Sequence, residues 1–110
     1  MRPATVQEYR LRRDGLPPLT FQGEMVLERS NRWVSGREKT RWHVVRVYRT
    51  LRGRWVLEVV YRTLWQGELD SHQVRVLDDL EGLRQAVEDL VPEDLRGEVF
   101  EDLDLEDRIE

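Results

Sequence analysis

The residues that could carry out catalysis or bind a metal are few and widely separated in this sequence. The two histidines, His43 and His72, lie singly on predicted strands, and the chain contains no cysteine. This arrangement does not match the spacing of zinc ligands, and without cysteine there are no thiolates or disulfides. The seven glycines are scattered through turns and form no phosphate-binding loop. We therefore expect no enzyme activity, no metal site and no cofactor.

Carboxylates are concentrated near the C-terminus. The cluster there consists of Glu101, Asp102, Asp104, Glu106 and Asp107. Its spacing does not match an EF-hand loop, so we interpret it as a solvated acidic segment. Glu58 differs from this group because it lies in mid-strand among valines. The register given below places it on an outer face, where an ion-pair ladder with Arg49 and Arg62 accounts for it.

Arginine next to tryptophan is the pattern that most favours nucleic-acid binding. It occurs three times, at Arg32-Trp33, Arg41-Trp42 and Arg54-Trp55. Proteins that bind single strands combine arginine with exposed aromatic rings on which bases stack. The predicted register buries Trp42 and Trp55, which leaves Trp33, in a loop, as the free ring.

Charge is distributed unevenly along the chain. Residues 1–65 carry 14 Lys and Arg against 6 Asp and Glu, a net charge of +8, whereas residues 66–110 carry a net charge of −12. This asymmetry is typical of a basic half that binds a polyanion, or of an acidic segment that binds something basic. The third interpretation is that the two halves neutralise each other across the fold.

Alternating apolar and polar residues predict strands through the first 77 positions. The predicted strands cover residues 9–12, 21–28, 42–51, 54–65 and 72–77. Arg52-Gly53 lies between the third and fourth of them and predicts a tight two-residue turn. In that case Leu51 faces Arg54, and the cross-strand register of this hairpin is fixed.

This register divides the hairpin into two faces. The aromatic-rich face contains Trp42, Val44, Tyr48, Trp55, Leu57, Val59, Tyr61 and Trp65. The opposite face contains Val45, Val47, Val56 and Val60 among His43, Arg49, Glu58 and Arg62. Because large aromatic side chains bury the most area, we expect the aromatic-rich face to form the core. The valine-rich face is then the outer one, where the sheet curls on itself or contacts a second molecule.

A helix follows the strands. Asp78-Asp79 predicts its N-cap, and an apolar stripe from Leu80 to Val91 is expected to cover the aromatic-rich face. Pro92 ends this helix, and residues 93–103 predict a shorter one that Gly97 weakens. The predicted fold class is therefore α+β: a curled antiparallel sheet of about five strands, one C-terminal helix packed on one face, and an acidic helical tail. We predict one domain over residues 1–92 and the tail over residues 93–110.

Several short motifs, taken together, resemble the EXLDI protein family. They are Phe21-x-Gly23, Val47-Tyr48-Arg49-Thr50 with Gly53, Leu80-Glu81-x-Leu83-Arg84, Val91-Pro92-Glu93-Asp94-Leu95, and Glu101-Asp102-Leu103-Asp104-Leu105. Leu105 replaces the isoleucine of the family name, and nothing here matches the family's N-terminal segment, which is similar to ribbon-helix-helix DNA-binding regions. The resemblance implies a similar fold over residues 20–105. It implies no activity, because the family is functionally uncharacterised.

The features above favour a binding role over a catalytic one. No apolar stretch approaches the roughly 18–20 residues of a membrane span, and we expect a cytoplasmic protein. We predict a non-catalytic interaction or regulatory module that binds a protein partner or a second copy of itself, with no small-molecule substrate. The alternatives are a nucleic-acid-binding protein and an enzyme of unrecognised type. The candidate contacts are Trp33, His43, Arg49 and Arg62.

Overall fold

Five strands form one curled antiparallel sheet, and two helices follow it at the C-terminus. The computed structural model describes residues 6–105. The elements are β1 (Gln7–Arg13), β2 (Leu16–Ser30), β3 (Trp33–Val34), β4 (Arg37–Glu38), β5 (Arg41–Thr50), β6 (Trp55–Thr63), β7 (Ser71–Leu77), α1 (Leu80–Leu90) and α2 (Glu93–Asp102). The large sheet has the order β1-β2-β5-β6-β7, and β3 and β4 form a separate small hairpin. The predicted α+β class and the curled five-stranded sheet are confirmed.

The register predicted for the β5–β6 hairpin is wrong by one residue, because its turn is longer than two residues. Tyr48 pairs with Val56 and not with Leu57. The Thr50 N–H bonds to the Arg54 carbonyl at 2.9 Å, and the Gly53 N–H bonds to the Thr50 carbonyl at 2.9 Å. Gly53 has a φ of +81°, so three residues form the loop and glycine occupies its left-handed position.

Because of this one-residue difference, each side chain of β6 lies on the opposite face of the sheet from the predicted one, relative to the side chains of β5. The predicted aromatic-rich face therefore does not exist as one surface. The odd-numbered residues of both strands lie on one face and the even-numbered residues on the other. The helices cover the odd-numbered face, which corrects the expectation that they cover Trp42 and Tyr48.

The core between sheet and helices is aliphatic. Its buried residues are Val45, Val47, Leu57, Val59, Leu83, Ala86, Val87, Val91, Leu95 and Val99. The side chain of Asp79 caps α1 by accepting the Gly82 N–H at 2.7 Å, as the sequence predicted. Because Leu95 and Val99 belong to this core and Leu103 packs against it, the segment assigned to the acidic tail contributes to the core as far as Leu103. Residues 106–110 of the predicted tail lie outside the described residues.

The face that contains the even-numbered residues of β5 and β6 lines the concave side of the curl. Together with residues of β1 and β2 it holds a second apolar cluster. Leu11, Tyr48 and Val56 are buried there, and Tyr9 and Phe21 pack beside them. The rings of Tyr9 and Tyr48 lie with their centroids 4.7 Å apart. The curl predicted from the valine content is present, and its inner surface is partly aromatic.

An ionic network centred on the buried Glu58 lies on the same concave face. Glu58 is 5% exposed and accepts a 2.7 Å hydrogen bond from the Tyr48 hydroxyl. Arg46 pairs with Glu58 at 3.2 Å and also with Glu28. Burial and the bond to Glu58 raise the pKa of Tyr48. Glu58 is thus an internal residue, which corrects its predicted place on an outer face with Arg49 and Arg62.

The curl brings the two terminal strands, β1 and β7, close together, and we call the place where Asp14 is hydrogen-bonded to β7 the seam. The Asp14 N–H donates to the His72 carbonyl at 3.1 Å. The His72 N–H donates in turn to Asp14 Oδ2 at 2.9 Å. Asp14, which directly follows β1, therefore occupies both backbone groups of His72 in β7.

Ion pairs connect the basic and acidic halves of the sequence. Among residues 6–105, four of them join the two halves: Arg29–Asp102, Arg41–Glu68, Arg54–Asp78 and Arg62–Asp70. All four are partly exposed, so each contributes little stability by itself. They favour the interpretation in which the two halves neutralise each other.

Candidate interaction surface

The β3–β4 hairpin projects one tryptophan into solvent. Its turn is Ser35-Gly36, and both residues have positive φ, +51° and +77°, as a two-residue type I′ turn requires. Trp33 pairs across the hairpin with Glu38. Its side chain is 62% exposed, and Val34 beside it is also exposed.

The connection between β6 and β7 exposes a second apolar group. Trp65 is 53% exposed, Leu64 lies beside it, and Leu69 is 87% exposed. Such exposure is unusual for large apolar side chains that lie close together in a soluble domain. The predicted position of Trp65 on a buried face is wrong, because the β6 ladder ends at Thr63, before Trp65.

These two segments meet at Thr40. Its carbonyl accepts the Leu64 N–H at 2.9 Å, and its hydroxyl accepts the Trp65 Nε1–H at 3.0 Å. The adjacent residue, Lys39, donates its N–H to the Arg32 carbonyl at 2.7 Å, which closes the base of the β3–β4 hairpin. We call this surface the aromatic end and define it by Trp33, Val34, Leu64, Trp65 and Leu69.

Arg41 holds Trp65 in place at the aromatic end. Its guanidinium carbon lies 4.9 Å from the Trp65 ring centroid and its Nη2 pairs with Glu68. Hydrogen bonds from Arg41 and Thr63 lower the pKa of Glu68 to about 2. The carboxylate therefore stays ionised at neutral pH and fixes the cation that stacks on the indole.

The other cations near the aromatic end differ in whether they form ion pairs. Arg32 stacks 4.6 Å from the ring centroid of the buried Trp42 and pairs with Glu38 at 3.4 Å. Arg37 and Lys39 make no ion pair among residues 6–105. The aromatic end therefore carries two cations that the described part of the chain does not neutralise.

The four candidate contact residues do not lie on one surface. Trp33 is exposed at the aromatic end, as expected for a loop tryptophan. His43 and Arg49 lie on the face that the helices cover, and Arg62 lies on the opposite face. Arg49 stacks 4.3 Å from the Trp55 ring centroid, and Arg62 pairs with Asp70 at 3.0 Å. The common outer face predicted for His43, Arg49 and Arg62 is thus not formed.

His43 is held in a partly buried setting. Its backbone N–H donates to Asn31 Oδ1 at 2.7 Å, and Asn31 donates to Asp94 of α2 at 2.8 Å. Its ring lies 5.3 Å from that of Tyr61. Burial lowers the pKa of His43, Asp94 opposes that shift and Lys39 adds to it. The imidazole is therefore neutral at physiological pH and packs as a ring.

Comparison with known protein families, with curated proteins and with solved structures finds no match for this chain. The resemblance to the EXLDI family remains a prediction. Within residues 6–105, no group of three or more His, Asp or Glu side chains could hold a metal ion. In the same part of the chain, no helix is both long and apolar enough to cross a membrane.

Proposed function

We propose that this protein is a cytoplasmic, non-catalytic interaction module that binds a protein partner, or a second copy of itself, through the aromatic end. The observation that carries the proposal is the exposure of two tryptophans and three aliphatic side chains on segments joined at Thr40. Tryptophan and arginine dominate the energetic centres of protein interfaces, where surrounding apolar contacts exclude water.

The aliphatic residues favour a protein partner over nucleic acid. Val34, Leu64 and Leu69 give up their contact with water only against another apolar surface, and a phosphate backbone offers none. In addition, Glu68 already pairs with Arg41, the cation that stacks on Trp65.

Sedimentation velocity over a range of concentrations tests self-association first. If the protein binds itself, Trp65→Ala shifts the dimerisation constant by 30-fold or more, the effect of losing about 2 kcal/mol at a hot spot. Leu51→Ala is the matched control, because Leu51 is 61% exposed but lies at the opposite end of the β5–β6 hairpin. Equal effects of the two substitutions would refute a role for the aromatic end.

If the protein is monomeric, a photo-crosslinking amino acid introduced at position 69 identifies the partner in cells of the host. The same group at position 51 is the control. The captured partner is then purified, and its affinity is measured for the wild type, Trp33→Ala and Leu51→Ala. We expect Trp33→Ala to weaken binding and Leu51→Ala to leave it unchanged. Identical crosslinks from both positions would contradict the proposal.

Single-stranded nucleic acid is the second candidate, and Arg37 and Lys39 near Trp33 are the observation that favours it. Fluorescence anisotropy of a labelled oligonucleotide, measured at low and moderate salt, separates the two candidates. Phosphate-driven binding weakens steeply with salt, and removing one contacting cation reduces the salt slope by about 1. Binding that is weaker in Arg37→Ala and shows this change of slope would favour nucleic acid over a protein partner.

A further inference from the structure

The loop between β5 and β6 and the neighbouring part of β2 border a cavity of about 310 Å³. The cavity is lined by Phe21, Gln22, Thr50, Leu51, Arg52 and Arg54. Phe21 also belongs to the apolar cluster of the concave face, so the cavity lies at one end of that face. The mouths of curled, barrel-like sheets are a preferred position of small-molecule sites, and this volume suits a compact ligand.

Hydrogen bonds hold the two walls of this cavity in place. The Leu51 N–H donates to the Gln22 carbonyl at 3.0 Å, which joins the loop to β2. Inside the loop, the Arg54 N–H donates to the Thr50 hydroxyl at 3.0 Å, and the Thr50 N–H donates to the Arg54 carbonyl at 2.9 Å. The walls are therefore formed before a ligand arrives, which reduces the entropy that binding costs.

One part of the lining is apolar. Leu51 is an exposed leucine, and the half-buried ring of Phe21 lies in the same lining. The Phe21 ring packs against Tyr9 and Tyr48, with a centroid distance of 5.4 Å in each case, so its orientation is fixed. Together these two side chains offer an apolar group a surface that it leaves water to contact.

The charged part of the lining is positive. Arg52 and Arg54 both line the cavity, and among the described residues no carboxylate does. Arg54 donates Nε–H to Asp78 at 2.9 Å, but both side chains are more than half exposed, and its two Nη groups make no hydrogen bond among residues 6–105. In the same part of the chain the Arg52 side chain forms no ion pair. Two guanidinium groups are thus available to one ligand.

The carboxylates of the neighbouring strands do not cancel this charge. Glu24 lies opposite Arg49 in the β2–β5 register, and neither residue lines the cavity. Glu8 lies opposite Gln22 in the β1–β2 register, and Arg10 follows it on the same face of β1. Each of these carboxylates therefore has an arginine beside it that is not one of the two in the lining.

We propose that this cavity binds a small molecule that carries a carboxylate or a phosphate next to an apolar group. The anionic group lies between Arg52 and Arg54, because guanidinium groups bind such oxygens through paired, charge-assisted hydrogen bonds. The apolar group covers Leu51 and Phe21. The cavity and the aromatic end lie at opposite ends of the β5–β6 hairpin, so Leu51 has no part in the function proposed above and the two proposals can fail independently.

Phenyl phosphate is the probe, and two-dimensional ¹H–¹⁵N NMR of the full chain is the measurement. We expect saturable shifts of the Gln22, Leu51 and Arg52 amide signals, with a Kd of about 1 mM or below, as for a ligand of this size. Inorganic phosphate lacks the ring and benzyl alcohol lacks the charge, so each should bind roughly tenfold more weakly or worse. Equal affinities for phenyl phosphate and inorganic phosphate, or shifts spread over all arginine-bearing surfaces, would overturn the proposal.

Substitutions at exposed positions then separate the two parts of the site. Arg52→Gln should weaken the binding of phenyl phosphate by about tenfold or more. Arg12→Gln is the matched control, because it removes the same charge from an exposed position in β1 outside the lining. Leu51→Ser should weaken the binding of phenyl phosphate and leave that of inorganic phosphate unchanged. Equal effects of Arg52→Gln and Arg12→Gln would show a response to net charge alone and refute the site.

A lipid headgroup carries the same phosphate chemistry as a free ligand, and sedimentation with vesicles distinguishes the two sources. The vesicles contain phosphatidylcholine and phosphatidylglycerol in equal amounts. We expect the protein to stay in the supernatant, because one leucine and one half-buried ring offer too little apolar area for stable anchoring in a membrane. Sedimentation that Arg52→Gln abolishes, without binding of phenyl phosphate, would assign the cavity to a membrane surface and overturn the proposal of a free ligand.

Discussion

The buried bond between Tyr48 and Glu58 should be a measurable part of the protein's stability. Tyr48→Phe removes only the hydroxyl that donates to Glu58 Oε1 at 2.7 Å, inside a site where Glu58 is 5% exposed. Buried hydrogen bonds to charged groups contribute about 1.5–3 kcal/mol. Because Arg46 still pairs with the carboxylate, we expect a loss of about 2 kcal/mol, or a Tm lower by roughly 10 °C in a domain of this size.

Urea unfolding followed by tryptophan fluorescence and by circular dichroism measures this loss. Tyr9→Phe is the matched control, since the Tyr9 hydroxyl accepts only an exposed bond from Gln7 at 2.9 Å, and it should change the unfolding free energy by less than about 0.5 kcal/mol. If Tyr48→Phe costs no more than Tyr9→Phe, the network does not stabilise the fold and the reasoning is refuted.

Alkaline pH gives a second readout of the same bond. The folded state raises the pKa of Tyr48, so the stability that depends on its proton is fully present below the unfolded value of 10.0. That contribution decreases as the pH rises above this value, because the unfolded chain releases a proton that the folded chain retains. The difference between the wild type and Tyr48→Phe should therefore narrow above pH 10 and remain constant below it.

Two further predictions concern close packing and acid stability. In Gly23→Ala, the new Cβ would lie 2.9 Å from Thr50 Cα and closer still to the Arg49 carbonyl, so we expect the free energy of unfolding in urea to fall by about 3 kcal/mol. Gly97→Ala is a change inside a helix with nothing within 4 Å of the new Cβ, and it should raise the free energy of unfolding by roughly 0.5–1 kcal/mol. The opposite order of stabilities would contradict the packing argument. The folded state lowers the pKa of Glu68 from 4.5 to about 2, so between these pH values the unfolded chain binds a proton that the folded chain does not. Stability therefore falls as the pH falls through this range, and Glu68→Gln should flatten this part of a plot of Tm against pH. An unchanged slope would show that the carboxylate is not paired in solution.

Most elements of the fold could be predicted from local patterns, whereas the pairing between them could not. Alternation gave the positions of the five strands, and Asp79 before an apolar stripe gave the start of α1. The length of the loop could not be read from the sequence pattern alone. A two-residue turn needs positive φ at both residues in type I′ and at the first residue in type II′, and Arg52 as the first residue is unsuited to either. A single glycine as the third loop residue was the signal for the longer loop.

The incorrect grouping of the candidate contact residues follows from the one-residue error in the predicted β5–β6 register. His43, Arg49 and Arg62 were grouped because the predicted faces placed them together, and the correct register separates Arg62 from the other two. Trp33 was identifiable, since it lies in a polar segment with a glycine turn. Trp65 was missed because strand-like composition continues past Thr63, although Gly67 shortly after it indicated the approaching turn.

The order of strands in the sheet has a consequence for how the chain folds. Because β1, β2, β5, β6 and β7 are neighbours in the same order in sequence and in space, each pairing closes only a short loop, and the entropy lost at each step is small. The bonds Asp14–His72 and Arg29–Asp102 are different, since they join positions 58 and 73 residues apart. We therefore expect the sheet to assemble by successive hairpins and these two links to form last. By the same argument these two links are the first to open in the native state. In hydrogen exchange, the backbone amides at the seam should therefore show a lower opening free energy than those at the centre of the β5–β6 pair.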